Sequence, residues 1–319
     1  MSPLGGFLLS EDPSVRYLTL TEVLGRSLRG KAVREAAEAI PSSRRVRTLL
    51  GAQRPDGGFG VDPYSKWGGA FWRLVTLSEL DVPRDDPGVM ALVDHVMRWV
   101  TSDRRMGHVR SVNGRVRIHA TGDGYALAAA CRLGALDDPR LGSIVETLVR
   151  SQWSYGGWNC DPRPAARHSS FHETIGPLWG LAEYARRTGD EAGKIAAERA
   201  AEFFLVHRLF RSHISGRIAH PEYARFHYPP YWHYDVLWGL LVLARFGKLG
   251  DPRAADAIDL VESKQGADGR WHADGTQVLA SAGRGGKHVE VVDWREGGEA
   301  EMVTLNALRV LRAAGRLAA

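Results

Sequence analysis

Three segments of the chain share one form: a helical run, a glutamine, a glycine-containing turn and an aromatic ring. They read LLGAQRPDGGFG at 49–60, LVRSQWSYGGWN at 148–159 and VESKQGADGRWH at 261–272. Gln53, Gln152 and Gln265 are 99 and 113 positions apart, and each interval holds a degenerate turn, VTSDRRMGHVR at 100–110 and HRLFRSHISGRIAH at 207–220. The implied unit is about 50 to 57 residues long and occurs roughly five times. A unit of this size buries its apolar face only against its neighbours.

Within a unit the pattern is helix, turn, loop, helix. First helices are expected near 43–52, 88–100, 140–151, 192–207 and 252–264, and second helices near 68–80, 122–133, 172–188, 232–246 and 301–314. A further helix is expected around 20–40. Stop and start signals agree, with Gly134 and Gly189 after second helices and Asp138-Pro139 and Asp251-Pro252 before first ones. Glycine suits a left-handed cap, and proline is tolerated in a first turn. Two second helices repeat the tetrapeptide LWGL, at 178–181 and 237–240, and Ala126–Ala130 is apolar throughout. A helix without a broad polar face is surrounded by other helices, so second helices should form an inner layer and first helices an outer one. Alternation of period two is scarce, which argues against a sheet core.

QRPDGGFG and QWSYGGWN, with QGADGRW as a weaker third copy, resemble the glutamine-tryptophan repeats of the terpenoid cyclase and protein prenyltransferase superfamily. The resemblance covers most of the chain. It implies an all-α fold, a single α/α toroid of about five helical hairpins over residues 1–319, with inserted loops at about 101–120, 208–230 and 273–300. It also implies a ligand cavity at one end of the inner barrel. The same scaffold serves cyclisation, prenyl transfer and plain binding. The protonating cyclases' Asp-x-Asp-Asp motif is absent; the nearest clusters are Asp85-Asp86 and Asp137-Asp138. The prenyltransferases' Asp-x-Cys zinc pair is also absent, Cys160-Asp161 being reversed and unspaced, and that zinc site is not carried over.

Composition narrows the classes further. A formal charge of +5 on 319 residues, with 42 basic against 37 acidic side chains, permits an anionic ligand without indicating nucleic acid. Cys131 lies in an apolar run and Cys160 in a turn, so no disulfide framework is expected and a reducing, cytoplasmic setting is the default. The start has no basic segment before its apolar patch, and the longest apolar candidate, VLWGLLVLA at 236–244, is too short to span a membrane.

If second helices form the inner ring, their leading residues share one rim. That gathers Lys66-Trp67, His119 to Asp123, His168 to Glu173, Tyr228 to Asp235 and Glu299 to Glu301. The residues expected to act are Glu173, the first choice for proton transfer, His172 orienting it, and Asp235 with His233 as second acid and imidazole. Trp67, Asp123, Tyr231, Trp232, Tyr234 and Glu301 are expected to bind substrate, aromatic faces lining an apolar molecule or stabilising a developing cation. The competing reading of His172 and Glu173 is a helix-start network favoured by the helix dipole. A divalent ion held by His168, His172, His233 or Asp235 is the least favoured reading, since zinc needs three or four converging ligands; the cofactor stays open and no metal ligand is assigned.

The expected function is small-molecule binding, with cyclase- or transferase-like acid catalysis on an isoprenoid or another largely apolar substrate. The alternatives are a carbohydrate hydrolase or lyase using Glu173 with Asp235 or Glu301 as two carboxylates, and a noncatalytic scaffold. A protein partner or homo-oligomer stays open. The arginine-rich segment 104–120 and the glycine-rich segment 280–300 read as inserted loops, the latter a candidate lid, with short hairpin strands where RVRIH and HVEVVDW alternate.

Overall fold

The computed structural model describes residues 6–7, 10–84, 86–106, 109–275, 290–294 and 298–317. The outer helices are α3 (Arg44–Leu50), α5 (Pro87–Val100), α7 (Arg140–Ser151), α9 (Glu191–Val206) and α11 (Ala255–Ser263). Alternating with them are α4 (Ala70–Glu79), α6 (Ala120–Arg132), α8 (Phe171–Thr188), α10 (Val236–Arg245) and α12 (Gly298–Ala313). Two helices precede these: α1 (Pro13–Leu18), which runs on as a π-helical turn over Thr19–Val23, and α2 (Lys31–Ala39). The single helix expected around 20–40 is therefore interrupted, Gly25 taking a φ of 61° and Gly30 standing as the extended N-cap of α2.

The fold is mostly helical. Among the described residues the one sheet is a hairpin of β1 (Arg110–Val112) and β2 (Arg115–Arg117), where the alternation at 104–120 predicts strands. No described helix is long and apolar enough to cross a membrane. The segment 280–300 falls largely outside the described residues, and with it the expected lid.

Burial separates the two layers. In α8 every residue from Thr174 to Glu183 is buried, and in α10 every residue from Val236 to Leu243. In α7 only Leu141, Ile144, Val145, Leu148 and Ser151 are buried, one stripe of an amphipathic helix. The inner helices pack in chain order, α4 on α6, α6 on α8, α8 on α10 and α10 on α12, while α12 also packs against the π-helical turn at Thr19–Val23. The closest approach is between α6 and α8. A Cβ added at Gly124 would lie 2.1 Å from the Gly176 carbonyl carbon, and one at Gly180 would lie 2.3 Å from the Gly124 oxygen. Only glycine lets these two backbones touch.

The glutamines tie each turn to the next outer helix. Gln53 Nε2 donates to Gly57 O at 3.1 Å and to Gly88 O at 2.9 Å, and Gln152 Nε2 donates to Gly156 O at 2.7 Å and Ala196 O at 2.8 Å. Among the described residues Gln265 keeps only the bond within its turn, to Gly269 O. The following aromatics seal the joint: Trp158 and Trp271 are buried and donate to the carbonyls of Leu148 and Val261.

At the C-terminal ends of the inner helices lies a network of charges, with Glu79, Glu183 and Arg309 buried, that the sequence pattern did not reveal. Arg245 pairs with Glu79 at 2.9 Å, Arg132 reaches Asp81 at 2.9 Å and Glu183 at 3.5 Å, and Arg309 meets Glu22 at 2.6 Å.

Candidate active-site cleft

The N-terminal ends of α6 and α8 carry the local chemistry. Ser170 caps α8, and Glu173 stands three residues on, the spacing of a capping box. In that motif the glutamate would return to the Ser170 N–H. Here that N–H donates to Trp158 O at 2.8 Å, and the Glu173 carboxylate turns across to α6, where Oε2 accepts from Thr121 N–H at 3.0 Å. The Thr121 hydroxyl donates to the His172 carbonyl, locking the two helix starts together.

Glu173 thereby faces a cleft of about 480 Å³, within the usual small-molecule range. Tyr64, Trp99 and Trp232 wall it, and Lys66, Arg105, His119, Asp123 and Cys160 supply its polar groups. Arg105 lies 4.5 Å from the Trp99 ring centre and reaches Asp123 Oδ1 from Nε at 3.2 Å; Lys66 lies 5.3 Å from the Trp232 ring centre. His119 Nδ1 is 3.8 Å from Glu173 Oε1, and ligand-type atoms of His119, Cys160 and Glu173 all lie within 4.8 Å of one another.

These neighbours set the charges. Burial would raise the Glu173 carboxyl, but the facing His119 and Cys160 side chains and the Thr121 N–H together hold it below its ordinary value. Glu173 in turn lifts the His119 imidazole, while burial, reinforced by the same carboxylate, pushes the Cys160 thiol up. Burial also raises Asp123 despite the Arg105 guanidinium beside it. Two carboxyls in one cleft are thus driven in opposite directions, the condition that separates an acid from a base.

Of the residues expected to share one rim, Lys66, His119, Asp123, Glu173 and Trp232 line this cleft, whereas Trp67, His172, Tyr231, His233, Tyr234, Asp235 and Glu301 do not. Asp235 is the N-cap of α10, its Oδ1 accepting from Trp238 N–H at 2.8 Å and its Oδ2 from His227 N–H at 3.0 Å. An acid at the cap position folds back onto its own backbone, whereas Glu173, three residues inside, can cross to a neighbour. His172 does not orient Glu173; its Nδ1 accepts from Tyr234 N–H at 2.9 Å, and burial drives its pKa down to about 4. His233 stacks on Trp232 with ring centres 3.8 Å apart and is driven down to about 3, first by burial and then by His172 and His227. Trp67 stacks on Tyr231 at 3.9 Å, and the Tyr231 hydroxyl donates to Glu290 at 2.7 Å. Tyr234 is buried, its hydroxyl donating to Leu209 O at 2.5 Å. Glu301 lies in a separate polar crevice, paired with Arg45 at 2.8 Å and accepting from Ser10 at 2.6 Å.

The aromatic rings also fill the space among the inner helices. Tyr125, Trp179 and Trp238 meet edge to face, and the Trp238 indole donates to the Tyr125 hydroxyl at 2.8 Å. The cleft, by contrast, lies at the N-terminal ends of α6 and α8 and is not lined by these three rings. Tyr64, Trp99 and Cys160 are members of the cleft that pattern reading passed over, Cys160 as a turn cysteine. For Cys160, its place next to a glycine-tryptophan turn was the one available signal.

No protein-family model matches the chain, and no curated protein does. Among solved structures, the chain is similar to a protein from Actinoplanes, at 16% identity and a TM-score of 0.42, over 95% of this chain and 90% of that one. At that level the neighbour lends the chain no activity.

Proposed function

We propose that this chain is a terpenoid-cyclase-like α/α toroid that binds a small, largely apolar molecule with one polar or anionic end in the cleft beside α6, and acts on it by acid catalysis with Asp123, the carboxyl that burial raises, as the acid and Glu173, held below its ordinary value, as the ionised partner. The observation that carries this reading is the convergence, in one cleft, of three aromatic walls, three cations (Lys66, Arg104 and Arg105) and the Glu173 cluster, drawn from segments far apart in sequence. Aromatic faces hold the apolar body, Lys66 and Arg105 attract the polar end, and the His119 imidazole, whose charged form Glu173 favours, stabilises negative charge that develops in the reaction. The packing of α12 on both α10 and the N-terminal π-helical turn supports closure of the ring. With Tyr125, Trp179 and Trp238 packed together among the inner helices, the ligand is expected to be compact rather than a long chain threaded through a ring.

The test is incubation with isoprenoid diphosphates and epoxidised polyprenes, short and long, with product mass spectrometry and tryptophan fluorescence as the binding readout. Trp99 and Trp232 should report saturable binding of the shorter compounds. Glu173→Gln should bind them and lose turnover. Absence of both turnover and saturable binding across the panel would remove this function.

A further inference from the structure

We infer that His119, Cys160 and Glu173 form a site for a zinc-type divalent ion, with the fourth coordination position facing the cleft. One candidate ligand atom from each side chain lies within 4.8 Å of the others, and His119 Nδ1 to Glu173 Oε1 is 3.8 Å. Around tetrahedral zinc, with bonds of about 2.0–2.3 Å, two such atoms sit about 3.3–3.6 Å apart. The cluster must therefore contract by only about 1 Å to enclose the ion. The His119 side chain is 68% exposed, so its ring has room to make that movement.

The donor set selects the ion. A thiolate and an imidazole favour zinc over magnesium or calcium, which prefer oxygen. Thiolate and carboxylate together neutralise a doubly charged cation, so no net charge is left in the cleft wall. On binding, the Cys160 S–H bond breaks and its proton passes to solvent. A supporting layer is already in place: Thr121 N–H holds Glu173 Oε2 at 3.0 Å and leaves Oε1 toward His119. Asp123, the other carboxyl of this wall, is engaged by Arg105.

Three protein ligands with an open side toward a substrate-sized space is the arrangement of a catalytic zinc rather than a structural one. The ion would be the positive centre that polarises the bound molecule. The site stands on the geometry of the cluster; only this chemical role rests on reading the cleft as a substrate site.

The experiment uses the full chain, stripped with a chelator and titrated with zinc against a chromogenic competitor, and separately with cobalt(II). About one equivalent should bind, and cobalt should give a sulfur-to-metal charge-transfer band in the near ultraviolet. Cys160→Ser should abolish that band, and both Cys160→Ser and His119→Ala should weaken zinc by at least about 100-fold, more than is typical for outer-layer residues. Cys131→Ser should change neither. Wild-type protein that takes up no stoichiometric metal overturns the inference, as does a cobalt band that survives Cys160→Ser. His119 is exposed, so His119→Ala should fold as the wild type does by circular dichroism; unchanged zinc affinity in that variant also overturns it. No small molecule enters these titrations, so a failed metal site and a failed ligand reading give separate results.

Discussion

Replacing Gly124 by alanine pits two effects of known size against each other. Alanine favours a helix interior over glycine by about 1 kcal/mol. Against that, the new Cβ would stand 2.1 Å from Gly176 C, 2.2 Å from Pro177 N and 2.3 Å from Gly176 O, where ordinary contact begins at 3.4 Å. All three are backbone atoms, so no side chain can rotate away, and α6 and α8 must part by about 1 Å or more. Overpacking a tight core costs about 1–3 kcal/mol and occasionally more. Parting these helices also stretches the Thr121 contacts to Glu173 and His172. The net expectation is a loss of about 3 kcal/mol, which for an m-value of about 3 kcal/mol/M lowers the urea midpoint by about 1 M. Far-ultraviolet circular dichroism follows the transition. Gly142→Ala is the matched control, since Gly142 lies in α7 with nothing within 4 Å of its added Cβ; it should gain up to about 1 kcal/mol. Equal midpoints for the two variants would refute the claim that glycine sets the α6–α8 distance.

Other outcomes follow from the same contacts. Arg132 and Arg186 hold the Glu183 carboxyl at about 2 against the opposing effect of burial, from an ordinary 4.5. Its folded value being the lower, it contributes about 3 kcal/mol above pH 4.5 that is lost as pH falls through about 2; Glu183→Gln should cost about 3–5 kcal/mol at pH 7 and flatten the acid limb of the urea midpoint, and an unchanged limb would contradict the pairing. Gln152→Ala removes two bonds and Gln265→Ala one, so melting temperatures should show a loss of about 1–2 kcal/mol for the first and at most about 1 for the second; equal losses would mean that the tie to α9 carries no stability. Trp232→Ala should weaken any compound that quenches cleft fluorescence by about 10-fold or more while leaving the melting temperature nearly unchanged, and undiminished affinity would move the ligand elsewhere.

The helices were legible because their signals are local: Gly189 closes α8 in the left-handed region at a φ of 77°, and Asp190 caps α9. The rim was legible to the extent that it gathered the starts of the inner helices, which brought Lys66, His119, Asp123, Glu173 and Trp232 to one opening. What the pattern could not distinguish was Asp235 from Glu173, because both are acids near a helix start and the difference is a shift of three positions relative to the cap. His119 and Cys160 meet only through the approach of α6 to α8, and their spacing of 41 residues in the chain carries no sign of it. The ion pairs Arg245–Glu79 and Arg309–Glu22 were invisible for the same reason, each looking like an ordinary charge at a helix end.

Those pairs bear on how the molecule comes apart. An open array of repeats can lose an end unit and keep the remainder, since each unit leans only on its neighbour. Here Glu22, near the beginning of the chain, is bound by Arg309, near its end, and Glu79 by Arg245 two inner helices beyond α8's predecessor in the packing order. Trimming the beginning strands the buried Arg309 guanidinium, and trimming the end leaves Glu22 without its partner, so damage at one end reaches the other. Such a chain should tolerate neither the insertion nor the deletion of a hairpin, and its denaturation should be a single event instead of a progressive fraying.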